Sequence, residues 1–251
     1  MLKNKVILIT GTSSGIGKVI LNYFKDNNFI ISINRETSQE SNLYEDNILN
    51  YNIDITNFNS VKNCINDLVQ KSKTPDILIL NAGINIYDNE DHFDIDRFKE
   101  CFDTNFYGSM NFVSVLSELK ISDKTIVFMS STSNIIPNPA AIGYFSSKLL
   151  LKKTSKLLNF NNDNFYKVSI LGPIKTNISR NIKPPQGIAK IVYDLLATEP
   201  GNMIKKFEKF ILSKKKYFYF TKLSIMVYWL INIVLTFIPG LYKGGKNQWD
   251  H

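Results

Sequence analysis

Three glycines lie in a short segment near the start of the chain, Thr10-Gly11-Thr12-Ser13-Ser14-Gly15-Ile16-Gly17. Residues 6–10 form an apolar run that predicts a buried parallel strand, and residues 17–26 carry apolar side chains at helical spacing. Between a strand and a helix, glycines let the backbone turn tightly and approach a pyrophosphate, while the helix N-terminus offers free N–H groups. The segment therefore predicts a dinucleotide-binding loop that consists of Gly11, Ser13, Ser14, Gly15, Ile16 and Gly17.

The chain continues as alternating strand and helix patterns. Strands are predicted at 29–33, 50–54, 77–80, 125–129 and 166–170, and helices at 61–71, 98–119 and 144–158. Such alternation is typical of a parallel sheet with helices on both faces. We predict an α/β fold, a Rossmann-type doubly wound parallel sheet, in a single domain over residues 1–212. Residues 213–251 are predicted to add an edge strand and an apolar C-terminal helix.

Further polar motifs follow in order, at strand ends or helix starts. They are Asp54-Ile55, Asn81-Ala82-Gly83, Asn105, Ser131 thirteen residues before Tyr144, Lys148 four residues after it, and a segment from Gly172-Pro173-Ile174 to Thr176. With the glycine loop, this order resembles the classical branch of the short-chain dehydrogenase/reductase family over about residues 4–200. One position departs from the family pattern, because Leu171 stands where a proline is usual.

The resemblance implies an oxidoreductase that interconverts a carbonyl and a secondary alcohol by hydride transfer with NAD(P)(H). Tyr144 would be the general acid, and Lys148 would lower the pKa of its phenol and hold the nicotinamide ribose. Ser131 would stabilise the substrate oxygen, and Asn105 would hold a water that relays protons. Cofactor contacts are implied for Asp54, Ile55, Asn81, Ala82, Gly83, Tyr144, Lys148, Pro173, Ile174 and Thr176.

The end of the second predicted strand bears on the choice of cofactor. Asn34 and Arg35 stand there instead of the acidic residue that accepts from a ribose 2′-hydroxyl. A guanidinium suits a 2′-phosphate through charge-assisted bonds, so we expect NADP(H) to be preferred. The alternative is NAD(H), with Glu36 binding the ribose diol.

The C-terminal segment 223–242 has no charged residue and is flanked by lysines. Pro239 and Gly240 should end a helix near Ile238, leaving about 16 residues or roughly 24 Å, short of a bilayer core of ~30 Å. Three placements stay open: in one leaflet of a membrane with 214–246 as a peripheral contact, in a subunit interface or against the core, or across the membrane.

Composition excludes several other classes of site. The two cysteines rule out a disulfide framework and a cysteine-based zinc site, and with two histidines we expect no metal. The N-terminus enters a strand at once, so we expect no signal peptide and a cytoplasmic protein, with the inner face of a membrane as the alternative.

The charge is unevenly distributed. Residues 1–150 carry 13 basic and 17 acidic residues, whereas residues 151–251 carry 17 and 5. The acidic cluster 88–96 and the lack of a reading motif argue against nucleic acid. We expect a small carbonyl or alcohol substrate and a homodimer or homotetramer. The alternatives are a catalytically silent NADP-binding regulator and an extended-branch epimerase or dehydratase, whose glycine spacing and chain length do not match.

Overall fold

A computed structural model of the chain describes residues 1–35, 45–86, 93–132, 141–161, 163–175 and 197–220. Its centre is a seven-stranded, wholly parallel sheet in the order β3-β2-β1-β4-β5-β6-β7. The strands are β1 (Val6–Thr10), β2 (Phe29–Asn34), β3 (Ile48–Asn52), β4 (Ile77–Leu80), β5 (Thr125–Ser131), β6 (Phe165–Leu171) and β7 (Tyr217–Tyr219). The α/β prediction with a doubly wound parallel sheet is confirmed.

The described helices follow the strands in sequence. They are α1 (Gly15–Phe24), α2 (Phe58–Gln70), α3 (Ile95–Phe102), α4 (Gly108–Glu118), α5 (Ile142–Asn161) and α6 (Ile204–Leu212), with short 3₁₀-helices at Lys25–Asn27 and Pro200–Met203. Side chains start two of them: the Asn57 amide oxygen accepts from the Ser60 N–H ahead of α2, and the Asp94 carboxylate accepts from two N–H groups of α3.

The core lies on both faces of the sheet, because alternate strand residues point to opposite sides. Leu8 and Ile31 pack on one face with α2, α4 and α5, whereas Ile7 and Ile9 pack on the other with α1 and α6. Both faces are therefore apolar, which explains why the strands read as continuous apolar runs rather than alternating ones.

The predicted helix 98–119 is interrupted. A π-helical turn at Asp103–Tyr107 joins α3 to α4, and Asn105 lies in that turn. π-Helical turns widen the hydrogen-bond ladder locally and occur frequently at functional sites. Within this turn, the side chain of Asn105 forms hydrogen bonds with the loop after β4.

Helix α6 was not predicted from the sequence. Its C-terminal end is held by Lys167 of β6, whose fully buried ammonium donates to the carbonyl oxygens of Phe210, Ile211 and Ser213 at 2.6, 2.9 and 2.6 Å. The last carbonyls of a helix lack donors from a following turn, and the lysine supplies donors there. The Ser213 N–H and hydroxyl also donate to the Phe210 carbonyl, at 3.1 and 2.8 Å. The strand β7 follows and pairs with β6 at the edge of the sheet.

Within the described ranges, no helix combines the length and the apolar composition needed to cross a bilayer. The segment 223–242, for which three placements were considered, lies outside the described residues, as do Glu36, Thr176 and the acidic cluster up to residue 92.

Candidate active site

A crevice opens at the carboxyl ends of the strands where the strand order reverses, between β1 and β4. Open α/β sheets bind ligands at such a switch point, because the adjacent loops turn away in opposite directions. The crevice has a volume of about 860 Å³, within the range of small-molecule sites. Its lining includes most of the predicted cofactor residues, namely Gly11, Ser13, Ser14, Gly15, Ile16, Asn34, Arg35, Asp54, Ile55, Asn81, Ala82 and Gly83.

The glycine loop has the geometry that a phosphate needs. Gly11 and Gly15 adopt φ values of +72° and +56°, which favour glycine. A Cβ on Gly17 would lie 2.0 Å from the Gly11 carbonyl oxygen, so the first turn of α1 packs directly on the loop. Ser14, the N-cap of α1, makes no side-chain capping bond. The first N–H groups of the helix therefore face the crevice without a side-chain cap.

The side chain of Asn34 holds the loop in place. Its amide oxygen accepts from the backbone N–H groups of Thr12 and Ser13 at 2.9 and 3.0 Å, and its amide nitrogen donates to the Thr12 hydroxyl at 2.8 Å. Asn34 is buried and its hydrogen bonds are used within the protein. Of the two residues predicted to read the ribose, Arg35 is the exposed one, and it also lines the crevice.

The segment Asn81-Ala82-Gly83 is tied to the end of β1. The Thr10 hydroxyl oxygen accepts from the N–H groups of Asn81 and Ala82, both at 2.9 Å. The Asn81 amide nitrogen donates to the carbonyl oxygens of Thr10 and Gly11 at 3.1 and 3.2 Å. These bonds fix the glycine loop against the loop after β4. Thr10 was not predicted as a site residue, although its place at the strand end next to Gly11 was a signal.

Asn105 is fully buried and links the loop after β4 to α5. Its amide oxygen accepts from the Ile84 N–H at 2.8 Å, and its amide nitrogen donates to the Ile84 carbonyl at 2.9 Å and to the Ser147 hydroxyl at 3.1 Å. Ser147 in turn donates to the Tyr144 carbonyl at 2.7 Å. Ser147 was not predicted as a site residue, and its only signal was its position between Tyr144 and Lys148.

The side chain of Lys148 lies near other residues of the predicted site. Its Nζ lies 5.7 Å from the centroid of the Tyr144 ring and donates to the Met129 carbonyl at 2.9 Å. A Cβ on Gly83 would lie 3.1 Å from that Nζ and 2.9 Å from the Asn105 amide oxygen. Gly83, which lines the crevice, thus lies next to Asn105 and Lys148, and Lys148 in turn lies near Tyr144.

Burial lowers the pKa of Lys148 from its usual 10.5 to about 8. Near neutral pH the side chain is still charged, so a buried ammonium lies beside the Tyr144 phenol. Perturbed lysines of this kind are concentrated at functional sites.

Ser131 is the last residue of β5 and is half-buried at the same edge of the sheet. The neighbouring Ser130 hydroxyl donates to the Lys148 carbonyl at 2.9 Å, which fixes β5 against α5. Pro173 and Ile174 follow β6, where Ile174 forms a β-bridge with Thr198. The described crevice lining does not include Ser131, Tyr144, Lys148, Pro173 or Ile174.

Comparison with known families agrees with this architecture. A family model described as short chain dehydrogenase matches residues 5–187, which is well over half of the chain. The chain belongs to the short-chain dehydrogenase family. The match contains every predicted site residue, from the glycine loop to the segment after β6.

Individual relatives of this short-chain dehydrogenase are distant. An 11-beta-hydroxysteroid dehydrogenase-like protein 3 from Arabidopsis thaliana is 30% identical over 207 residues, covering 78% of this chain and 66% of that protein. The chain thus spans just under two thirds of that relative's length.

Two solved structures share the fold. A short chain dehydrogenase from Burkholderia cenocepacia J2315 in complex with NADP has a TM-score of 0.72 at 18% identity, covering 90% of this chain and 91% of that one. A 3-ketoacyl-(acyl-carrier-protein) reductase from Brucella melitensis complexed with NADH also has a TM-score of 0.72, at 19% identity, covering 87% and 97%.

Proposed function

We propose that this short-chain dehydrogenase interconverts a carbonyl group and a secondary alcohol with a nicotinamide dinucleotide, and that Tyr144 is its general acid and base. The observation that carries the proposal is the buried ammonium of Lys148, which lies 5.7 Å from the centroid of the Tyr144 ring and close to Gly83 of the crevice. Burying an ammonium with one hydrogen bond is energetically costly, and a purely structural core position would not require it.

The residues of the crevice fit a dinucleotide. The backbone at Gly11 and Gly15 has the left-handed conformation of a phosphate loop, and the absence of a Cβ at Gly17 brings the N-terminus of α1 to that loop. The helix dipole and the first N–H groups of α1 would bind the pyrophosphate. When bound, the nicotinamide would supply or accept the hydride.

The chain itself would handle the proton. In the reduction, the Tyr144 hydroxyl donates its proton to the carbonyl oxygen, and the charged Lys148 favours the phenolate that remains. The Nζ of Lys148 uses one of its three N–H groups, on Met129, which leaves two for ribose hydroxyls. Ser131 would donate a hydrogen bond to the substrate oxygen.

Asn105 would have a positioning role. Its side chain is used on Ile84 and Ser147, so it holds the loop after β4 against α5. The water relay proposed for this residue would then use its backbone, because the side-chain amide is already bonded.

NADP(H) is the proposed cofactor, with NAD(H) as the alternative. The argument rests on Arg35, because the Asn34 side chain is used in the loop and β2 ends without a carboxylate. The Burkholderia structure holds NADP and the Brucella structure NADH, so both choices occur within this fold. Arg35→Ala should raise the KM for NADPH about 10- to 100-fold and change that for NADH little.

The matched control is Lys99→Ala, which removes a different charge from the crevice lining, in α3. It should affect NADPH and NADH alike. Equal effects of Arg35→Ala on the two cofactors would refute the assignment of NADP(H).

The proposed substrate is a carbonyl compound of the lipid or steroid class, with a soluble metabolite as the alternative. The Arabidopsis relative's name refers to a hydroxysteroid. We expect the residues after Ser131 (Ile135 and Ile136), those after Asn85 and the stretch 174–188 to enclose the substrate. Of these, Ile135, Ile136 and the stretch from residue 176 lie outside the described residues. Contact of 214–246 with a membrane and self-association stay predictions as well.

The function is tested by a screen of steroid, lipid and soluble carbonyls, followed by NADPH or NADH oxidation with and without detergent. Turnover with any of them supports an enzyme. Tight dinucleotide binding without turnover across the panel would favour the silent regulator instead.

A further inference from the structure

Asn85 differs from the other amide side chains of the crevice. Its amide oxygen Oδ1 is buried and has no hydrogen-bond partner among the residues that the structure describes. Among the described residues that line the crevice, no other has a buried polar side-chain atom without a hydrogen-bond partner. Native proteins pair nearly all such atoms, so an unpaired amide in a ligand crevice requires an explanation.

The side-chain amides of the neighbouring asparagines all form hydrogen bonds within the protein and hold its loops in place. Asn34 bonds the glycine loop, Asn81 bonds the end of β1, and Asn105 bonds both backbone groups of Ile84. Asn85 directly follows Ile84, and its Oδ1 accepts no hydrogen bond from the described residues. Because Asn85 lines the crevice, a bound ligand could supply the donor.

The position of Asn85 indicates which part of a ligand would meet it. It lies two residues after Gly83, which is next to the Lys148 ammonium, and beside the backbone held by Asn105. This is the reactive end of the crevice rather than the phosphate end. An amide presents both a donor and an acceptor, and a hydroxyl group can pair with either.

We propose that Asn85 binds a hydroxyl group of the ligand at the reactive end and thereby helps to select the ligand. The inference rests on the proposed function, because the hydroxyl would belong either to the nicotinamide ribose or to the carbonyl substrate. The first source makes Asn85 a cofactor-binding residue, and the second makes it a determinant of substrate specificity.

The test uses Asn85→Leu, which keeps a similar size and removes the amide. Two quantities are measured: the Kd of NADPH and NADH by nucleotide fluorescence, and kcat/KM for pairs of ketones with and without a hydroxyl next to the carbonyl. If the ribose is the partner, the Kd of both nucleotides rises about 10- to 100-fold. If the substrate is the partner, the Kd is unchanged and kcat/KM falls about 10- to 100-fold for the hydroxyketones alone.

A melting experiment without ligand separates a binding role from a structural one. Removing an unpaired amide should leave the Tm of Asn85→Leu unchanged or raise it. The matched control is Asn159→Leu in α5, whose amide donates to the carbonyls of Ser155 and Tyr166 and accepts from the Tyr166 N–H. That substitution should lower the Tm and leave the Kd of the nucleotides unchanged.

Two results would overturn the inference about Asn85. One is an unchanged Kd together with equal effects on both members of every ketone pair. The other is a fall in Tm for Asn85→Leu as large as that for Asn159→Leu. Failure of the proposed function is distinguishable, because wild-type protein would then bind neither nucleotide.

Discussion

Replacing Lys148 with methionine should make the ligand-free protein more stable while it removes activity. The ammonium is almost fully buried and makes one hydrogen bond, to the Met129 carbonyl. Methionine has a similar length and no charge, so it fills the space without the cost of burying an ion. Active-site groups are often held at such a cost to stability.

The magnitude follows from the pKa of the lysine. A fall from 10.5 to about 8 corresponds to about 3 kcal/mol of unfavourable burial of the charged form. Losing the hydrogen bond to Met129 offsets about 1 kcal/mol of this. We therefore expect a net gain of about 2 kcal/mol, which raises the Tm of a domain of this size by roughly 4–8 °C.

The gain should depend on pH in a defined window. Below about pH 8 the lysine is charged in both the folded and the unfolded chain, so wild type bears the full cost. Between pH 8 and 10.5 the folded lysine is neutral while the unfolded one still binds a proton, so the stability of wild type rises with pH. The advantage of Lys148→Met should accordingly be largest near pH 7 and shrink toward pH 10.5.

The assay is thermal unfolding of ligand-free protein at several pH values, with Lys153→Met as the control. Lys153 is exposed on the same helix, so its substitution should change the Tm little at any pH. A lower Tm for Lys148→Met than for wild type at pH 7 would refute the reasoning. So would a gain that stays constant up to pH 10.5.

Three further substitutions test other parts of the account. Lys167→Met should gain less stability than Lys148→Met, because burial lowers the pKa of Lys167 to about 8 as well but its ammonium makes three hydrogen bonds rather than one; a rise in Tm as large as that of Lys148→Met would contradict this. Gly17→Ala should weaken NADPH binding at least about tenfold because its Cβ meets the loop backbone, whereas Gly201→Ala, with no atom within 4 Å, should be neutral; equal effects would argue against the loop geometry. Ser147→Ala should lower kcat a few-fold without changing the Kd of NADPH, whereas Ser155→Ala, which removes a bond within α5, should leave both unchanged.

Much of the fold follows from apolar patterning. The strands are buried on both faces, so runs such as residues 6–10 and 77–80 stand out against the surrounding polar segments. The order of glycines in the first loop likewise predicts a tight turn, and in the structure Gly11 and Gly15 adopt positive φ values there. These features depend on a few neighbouring residues, and local sequence contains that information.

Features that depend on distant partners were not predictable. The π-helical turn around Asn105 has no local sequence signal, and its amide is paired with Ile84, 21 residues away. The C-terminal end of α6 is bonded by Lys167, which lies 43 residues before Phe210 in the chain. The pairing of Asn34 with the glycine loop also escaped prediction, because an amide at a strand end suits a ligand and a backbone equally well.

The central claim is that the phenol of Tyr144 transfers the proton in a crevice that holds a nicotinamide dinucleotide. The most direct measurement is the rate of NADPH oxidation by Tyr144→Phe on the best carbonyl of the screen, at a nucleotide concentration that saturates both proteins. We predict a rate about 10²- to 10⁴-fold below wild type with an unchanged Kd for NADPH. A variant that retains more than about a tenth of the wild-type rate would contradict the claim.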